Sequence, residues 1–463
     1  MSKIEVNTVA PQCGTTLTLG ESGDTVVLAT GASQTGFGRE GSVNWQTTPK
    51  TSTFTAANGE GYFINSGSAL TMNLPAGSAG AIVAVADYAR NFATYNFTIS
   101  PNGSEKIGGV AADASLNIDG QAATFVYVDS TKGWINVQNA EDTEAGKPPF
   151  IEASGGTEST VCTNFKVHTF TGPGTFTVTN SGAPPGSTTV DYLVVAGGGG
   201  GGSGGGPCGQ SGASGAGGGA GGYRESPGSA SGCYSVSPRG AAPAAALPVT
   251  ETGYPIQVGG GGPTVSPGTT SVSGTDSIFA GSSTITSAGG GGGGTRNPSP
   301  SVQSGKAGGS GGGLVADGTI GSGNTPPTNP AQGTDGGDTA GPNNGGGGGG
   351  GATGAGGNAS PGPSPGGARG GTGGAGGTSS INATPTARAG GGGGGAGGDV
   401  PSGHNNPGGT GGSGGGGTGG ATGAIGTAGT TNTGGGGGGG GAHPGKNGSA
   451  GGSGIVIIRY RFQ

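Results

Sequence analysis

The 463-residue chain is short of most of what a hydrophobic core or a charged site is built from. Charged residues make up 9% and aromatics 5%, and Leu, Ile, Val and Phe together number 64. Spread evenly, so few apolar side chains could not bury enough surface to offset chain entropy. No run approaches the ~20 apolar residues of a membrane-spanning helix, the longest late stretch being residues 455–458. Residues 1–6 lack the apolar core of a secretory signal. The formal charge of −6 divides into −7 through residue 190 and +1 beyond it. Neither part carries a basic stripe, which argues against nucleic acid as a partner. The four cysteines, Cys13, Cys162, Cys208 and Cys233, have no C-x-x-C spacing and read as free thiols.

What the chain has is glycine: 125 residues, of which 24 fall within residues 1–190 and 101 after them. The apolar residues are skewed the other way, with 39 of the 64 in the first part. The first part can therefore be an ordinary globular domain. The second must hold together by other means.

Residues 1–140 read as a β-domain. Short alternating segments at 16–19, 25–28, 62–64, 70–74, 82–85, 95–99 and 124–128 have strand character. Pro101-Asn102-Gly103 and Asp119-Gly120 stand between them as turn formers. Trp45 and Trp134 are expected in the core. Residues 141–159 read as a linker, since Glu141, Asp142 and Glu144 precede Lys147-Pro148-Pro149 and Gly155-Gly156.

From residue 160 a glycine-rich domain is expected, framed by strands at 165–195 and 454–462. Glycine recurs there every third residue: Gly408, Gly411, Gly414, Gly417, Gly420, Gly423, Gly426 and Gly429 form one unbroken register. Gly206 to Gly221, Gly345 to Gly357 and Gly445 to Gly454 hold others. Three residues per turn is the polyproline-II helix, which has no internal hydrogen bonds and must exchange them with neighbours. Collagen would place proline between the glycines, whereas Thr, Ser, Ala, Ile and Gly stand there in 408–429. The pattern fits packed polyglycine-II helices, in which any Cβ would hold the backbones apart. The expected class is thus mainly β, with a β-domain followed by this glycine lattice. A flexible linker is the competing reading; the strand-like 190–195 and 455–460 at the ends of the block argue against it.

Several segments resemble a known family. His168-Thr169-Phe170-Thr171, Gly174-Thr175-Phe176-Thr177-Val178, Asp191-Tyr192-Leu193-Val194-Val195-Ala196 and the closing Gly454-Ile455-Val456-Ile457-Ile458-Arg459-Tyr460 resemble the glycine-rich domain of bacteriophage tail-fibre proteins. Residues 1–7 and 15–19 resemble the start of fibre-like structural proteins of marine cyanobacterial phages. The resemblance implies a virion appendage, attached or self-assembled through its N-terminal domain, and homotrimeric as fibre proteins commonly are. It also implies host-surface recognition, of a glycan or outer-membrane protein, by loops between polyglycine-II helices. Unlike the compact adhesins, this chain carries its own β-domain and long proline-bearing interruptions.

Enzyme motifs are weak. Gly440-x4-Gly445-Lys446 approaches a phosphate-binding loop, but Asn447 replaces the Ser/Thr that would hold magnesium. His168, His404 and His443 lack metal-ligand spacing. Asp335 and Asp338 read as solvated loop acids rather than a glycosidase pair. No enzyme activity, cofactor or metal is expected. Loops on a rigid scaffold commonly carry recognition, and the candidates there are Tyr223, Arg224, Tyr234, Arg239, Arg296, Asn297, His404, Asn405, Asn406 and His443, with Lys446 beside the last. The expected function is a non-enzymatic fibre or adhesin component. Alternatives are a purely structural virion decoration, an ice-binding protein and, last, a depolymerase.

Overall fold

A computed structural model describes residues 43–138, 150–183, 186–205, 212–232, 234–297, 299–339, 345–363, 366–398 and 405–463. The strands expected at 16–19 and 25–28, together with Gly206, Gly209 and His404, lie outside these residues. The chain divides into two units, Met1–Gly109 with Asp113–Ala145, and Val110–Ala112 with Gly146–Gln463. The fold is mainly β, with six sheets among the described residues. Helix there amounts to short turns such as Pro300–Gln303 and Pro238–Gly240.

In the first unit β1 (Asn44–Lys50), β3 (Glu60–Ile64) and β5 (Ile82–Asp87) pair in parallel. So do β2 (Phe54–Thr55), β4 (Leu70–Asn73) and β6 (Phe97–Ser100). The chain thus coils between two sheets, one strand of each per turn. Three antiparallel strands end the coil: β7 (Ala114–Leu116) on β6, β8 (Ala122–Asp129) on β5, and β9 (Gly133–Asn136) on β8. Alternate residues of both sheets meet in one core that includes Tyr62, Met72, Val85, Phe97, Phe125 and Trp134. Trp134 is fully buried, and its indole Nε1 donates to Glu105 Oε2 at 3.1 Å. Trp45, expected in the core, is instead 38% exposed, lying on the outer face over Gly61 and stacked on Phe63 at 4.9 Å.

The second unit begins inside the expected linker. β10 (Ile151–Ser154) and β11 (Thr157–Val161) occupy its latter half, and residues 141–149 lie outside the described set. Glu152 and Glu158 are exposed on these strands, and Glu141, Asp142 and Glu144, on which the linker reading rested, lie outside the described residues. β12 (Phe165–Phe170), β14 (Thr189–Val195) and, from the far end of the sequence, β25 (Ile455–Arg461) form a sheet with β11 and β15 (Tyr223–Glu225). β16 (Leu247–Pro248) pairs with β14. A second sheet joins β10, β13 (Gly174–Ser181), β17 (Gly253–Gln257), β18 (Ser277–Ala280) and β19 (Thr284–Ser287). Short strands β20 (Ser360–Pro361), β21 (Gly367–Arg369), β22 (Gly377–Ser379), β23 (Thr386–Arg388) and β24 (Gly397–Gly398) make two small sheets. Tyr192, Val194, Val456, Ile458 and Tyr460 face the β10–β19 sheet. Leu193, Val195, Ile455 and Ile457 face the opposite way, onto Ala220, Ala352, Ile381 and Ala389. Glycine segments leave directly from β14, β17 and β19.

Their hydrogen bonds repeat every third residue. In residues 197–205 the amides of Gly198, Gly201 and Gly204 donate to Gly452, Ser449 and Lys446. Those of Gly199, Gly202 and Gly205 donate to Gly219, Ala216 and Ala213, and those of Gly197 and Gly200 to Thr275 and Val272, all at 2.8–3.1 Å. Three donor directions in rotation are the signature of the three-fold helix. Residues 215–222 have six neighbouring segments, donating to 434–440, 288–294 and 347–350 and accepting from 199–202, 310–313 and 392–395. Polyglycine-II helices therefore pack on all sides, some parallel and some antiparallel. A Cβ on Gly218 would overlap the carbonyl oxygen of Gly199, and one on Gly391 that of Gly349.

The 408–429 register is not one helix. Gly414 (φ +99°) and Gly423 (φ +73°) are turn residues with left-handed backbone, and the chain reverses at each. The result is short segments lying side by side, with Gly419 bonded to Gly409 and Thr427 to Thr418. Glycine suits both a packed helix and a positive-φ turn, so the period runs through the reversals unbroken.

Candidate functional site

The lattice has two ends. Segment 197–205 runs away from the β14 end of the sheet, and 213–222 returns to β15, so one set of loops packs near the sheet and another gathers at the far end. Of the ten candidate residues, His404 lies outside the described set, and the other nine divide between them.

Near the sheet lie Tyr223, Arg224, Tyr234 and Arg239, and here side chains turn inward. Tyr223 is 1% exposed, on β15, with its hydroxyl donating to Glu225 Oε2 at 3.1 Å. Arg224 is half-buried, reaching the Thr286 carbonyl at 3.5 Å. The half-buried Tyr234 ring covers the Arg459 guanidinium at 5.0 Å, and Arg239 Nε donates to the Ala352 carbonyl at 2.6 Å. Tyr223 is thus covered, and the loop that follows it grips the scaffold. Beneath it lie four charged groups that the loop search passed over. Asp191 and Arg459 are fully buried and stand opposite each other in the β14–β25 register, and Glu225 and Arg388 are almost as enclosed. Asp191 Oδ1 accepts from Ser226 Oγ at 2.8 Å and Oδ2 from the Ser231 amide at 2.7 Å. Glu225 Oε2 also accepts from the Ser237 amide at 2.9 Å. Burial raises the Glu225 carboxyl above its ordinary pKa, against the opposing hydrogen bond from the Ser237 amide. Burial likewise raises the Tyr223 and Tyr234 hydroxyls and lowers the Arg388 guanidinium.

At the far end Arg296, Asn297, His443 and Lys446 lie on neighbouring loops joined by backbone contacts to 203–204. The Arg296 amide donates to Ser203 at 3.2 Å and Gly204 donates to the Lys446 carbonyl at 2.9 Å. Asn297 Nδ2 donates to the Gly268 carbonyl at 3.1 Å. Arg296, Asn297, His443 and Lys446 are half-buried and Asn405 is exposed. Asn406 is fully buried, its side chain wedged against Gly362 and Gly367, so it locks loops together and presents nothing outward. The 440–446 segment is a glycine helix followed by a turn, without the strand and helix a phosphate loop requires. Among the described residues no three His, Cys, Asp or Glu gather as a metal site, and no helix is long and apolar enough to cross a membrane.

The far end thus offers guanidinium, ammonium, imidazole and amide groups on loops whose stems are fixed by backbone hydrogen bonds. Such groups satisfy hydroxyls and anionic substituents. Residues 169–461, from β12 to β25, match a family model described as a glycine-rich domain. No curated protein matches the chain.

Proposed function

The chain therefore belongs to the glycine-rich domain family, and from that premise we propose that it is a non-enzymatic component of a bacteriophage tail fibre or related virion appendage. In this reading the N-terminal unit attaches to other virion proteins or assembles copies into a homotrimer. The far-end loops of the glycine lattice meet a host glycan or outer-membrane protein. The observation that carries the reading is the far-end cluster of Arg296, Asn297, His443 and Lys446. A scaffold whose backbones bond to neighbours on all sides holds such loops at small entropic cost. The test is competition: purified full-length protein should block adsorption of a fibre-bearing phage to its host. A purely structural decoration would leave adsorption unchanged.

One observation favours ice binding as a second reading. Thr372, Thr410, Thr418 and Thr427 are exposed on four successive side-by-side segments, joined by the bonds from Gly373 to Thr410, Gly419 to Gly409 and Thr427 to Thr418. Thermal hysteresis by the protein would establish that reading, and its absence would remove it.

A further inference from the structure

Beneath the loops near the sheet, buried polar atoms without a direct hydrogen-bond partner are concentrated: Arg459 Nε and Nη2, Arg388 Nη1, Glu225 Oε1, Tyr234 Oη and Asn382 Oδ1. Arg459 is 0%, Glu225 1% and Arg388 5% exposed. A buried donor or acceptor left bare costs more than a made hydrogen bond returns, and buried groups are ordinarily satisfied. Such a concentration needs a physical cause.

Direct closure is not available to these groups. The Arg459 guanidinium is fixed by its Nη1 bond to the Ile381 carbonyl at 3.0 Å and by the rings of Phe165 (4.6 Å) and Tyr234 (5.0 Å). Its open edge, Nε with Nη2, is the fork that takes paired acceptors. Asp191, its cross-strand neighbour, has both oxygens engaged by Ser226 and Ser231. Among the described residues no ion pair joins Asp191 to Arg459 or Glu225 to Arg388. The charges are balanced, two guanidinium groups facing two carboxyls. A bound anion would meet Asp191 and Glu225, and a bound cation would meet Arg388 and Arg459. The bare atoms include both donors and acceptors. The ligand that fits is small, neutral and able to give and take hydrogen bonds, which is water.

We propose that this layer is an internal hydration site. One water sits in the Arg459 fork, and another joins Glu225 Oε1 to Arg388 Nη1, with Asn382 Oδ1 and the Tyr234 hydroxyl as further partners. Two to four polar partners is what a retained internal water requires. Through these molecules loop 226–240 and the β22–β23 hairpin are cemented to β14, β15 and β25. The site stands independently of any host-binding role.

A crystal structure of the full chain at a resolution that shows solvent tests this directly. Ordered water is expected within hydrogen-bond distance of Arg459 Nε and Nη2 and between Glu225 and Arg388. A direct Glu225–Arg388 bond, halide anomalous signal in the fork, or empty density at both places would overturn it. Oxygen-17 relaxation dispersion gives a second measurement. Arg459→Met and Arg388→Met should each retain fewer long-lived waters than the wild type, and an unchanged number in both folded variants counts against the proposal. Where a variant fails to fold by circular dichroism, the crystallographic result decides.

Discussion

The imidazole of His168 stacks on the ring of Tyr460 at 5.6 Å and 19°, with Nε2 lying 3.1 Å from the tyrosine hydroxyl. Nδ1 lies 2.7 Å from the Gly155 carbonyl, which can only accept, so Nδ1 carries the proton and Nε2 accepts from Tyr460. The neutral ring joins β12, β25 and the β10–β11 turn. Burial holds its pKa below the ordinary 6.5, outweighing the Gly155 bond and Glu158 3.9 Å away. A folded pKa below the unfolded one means the unfolded chain takes up the proton first. Stability is expected to be full above pH ~6.5 and to fall as pH drops below it. Thermal unfolding of His168→Phe should show a flatter acid limb than the wild type; equal slopes would refute the assignment.

Glu225 works in the opposite sense. Its folded pKa is raised above the model-peptide value of 4.5 by burial, so the folded state holds the proton longer. Stability from this group falls as pH rises from 4.5 through the folded pKa. Glu225→Gln keeps an acceptor for Tyr223 and Ser237 without the charge. In urea unfolding its stability relative to wild type should improve between pH 4 and pH 7.5.

Gly260 and Gly261 are adjacent and should respond differently to the same change. A Cβ at Gly261 would overlap the Gly451 carbonyl, whereas at Gly260 the nearest atom is Thr275 Oγ1 at 3.9 Å. Gly261→Ala is expected to cost about 1–3 kcal/mol, and Gly260→Ala to stay within about 0.5 kcal/mol of wild type. Denaturant unfolding of the two variants side by side measures the contrast.

The two tryptophans report on the first unit. Trp134 is sealed and hydrogen-bonded to Glu105, and Trp45 is 38% exposed. Acrylamide should quench Trp45 and spare Trp134. Trp134→Ala should destabilise this unit by about 3–5 kcal/mol, read from its own unfolding transition.

For host recognition, the far end should matter and the loops near the sheet should not. Arg296→Ala combined with Lys446→Ala is expected to weaken adsorption competition about ten-fold, roughly 1.4 kcal/mol. Arg224→Ala, on β15 at the sheet, should compete as wild type does.

Much of this fold was legible in local pattern. Alternation at 62–64, 70–74 and 82–85 marked strands that pack into one core, and strand-like 190–195 and 455–460 marked the sheet that anchors the lattice. The parallel stacking of β1, β3 and β5 was not legible, because it depends on how the chain coils between sheets rather than on any strand's own residues. Gly414 and Gly423 kept the period yet serve as turns, since glycine's freedom permits both. Tyr223 and Asn406 have polar tips that suggested exposure, but they are covered by loops distant in sequence. A signal for the buried charge layer was present in the sequence: Asp191 and Arg459 each stand within the apolar runs 190–195 and 455–460.

The rotation of donors among three neighbours constrains how such a chain can change. Removing one residue from segment 215–222 would turn everything after it by about a third of a turn, aiming each amide at the wrong neighbour. Removing three would restore the aim and shorten the segment by one turn. Length within a segment thus changes in steps of three, as if read in codons, while loops such as 295–303 and 442–447 are free of that phase. The interior is held to a metre, and variation is left to the ends.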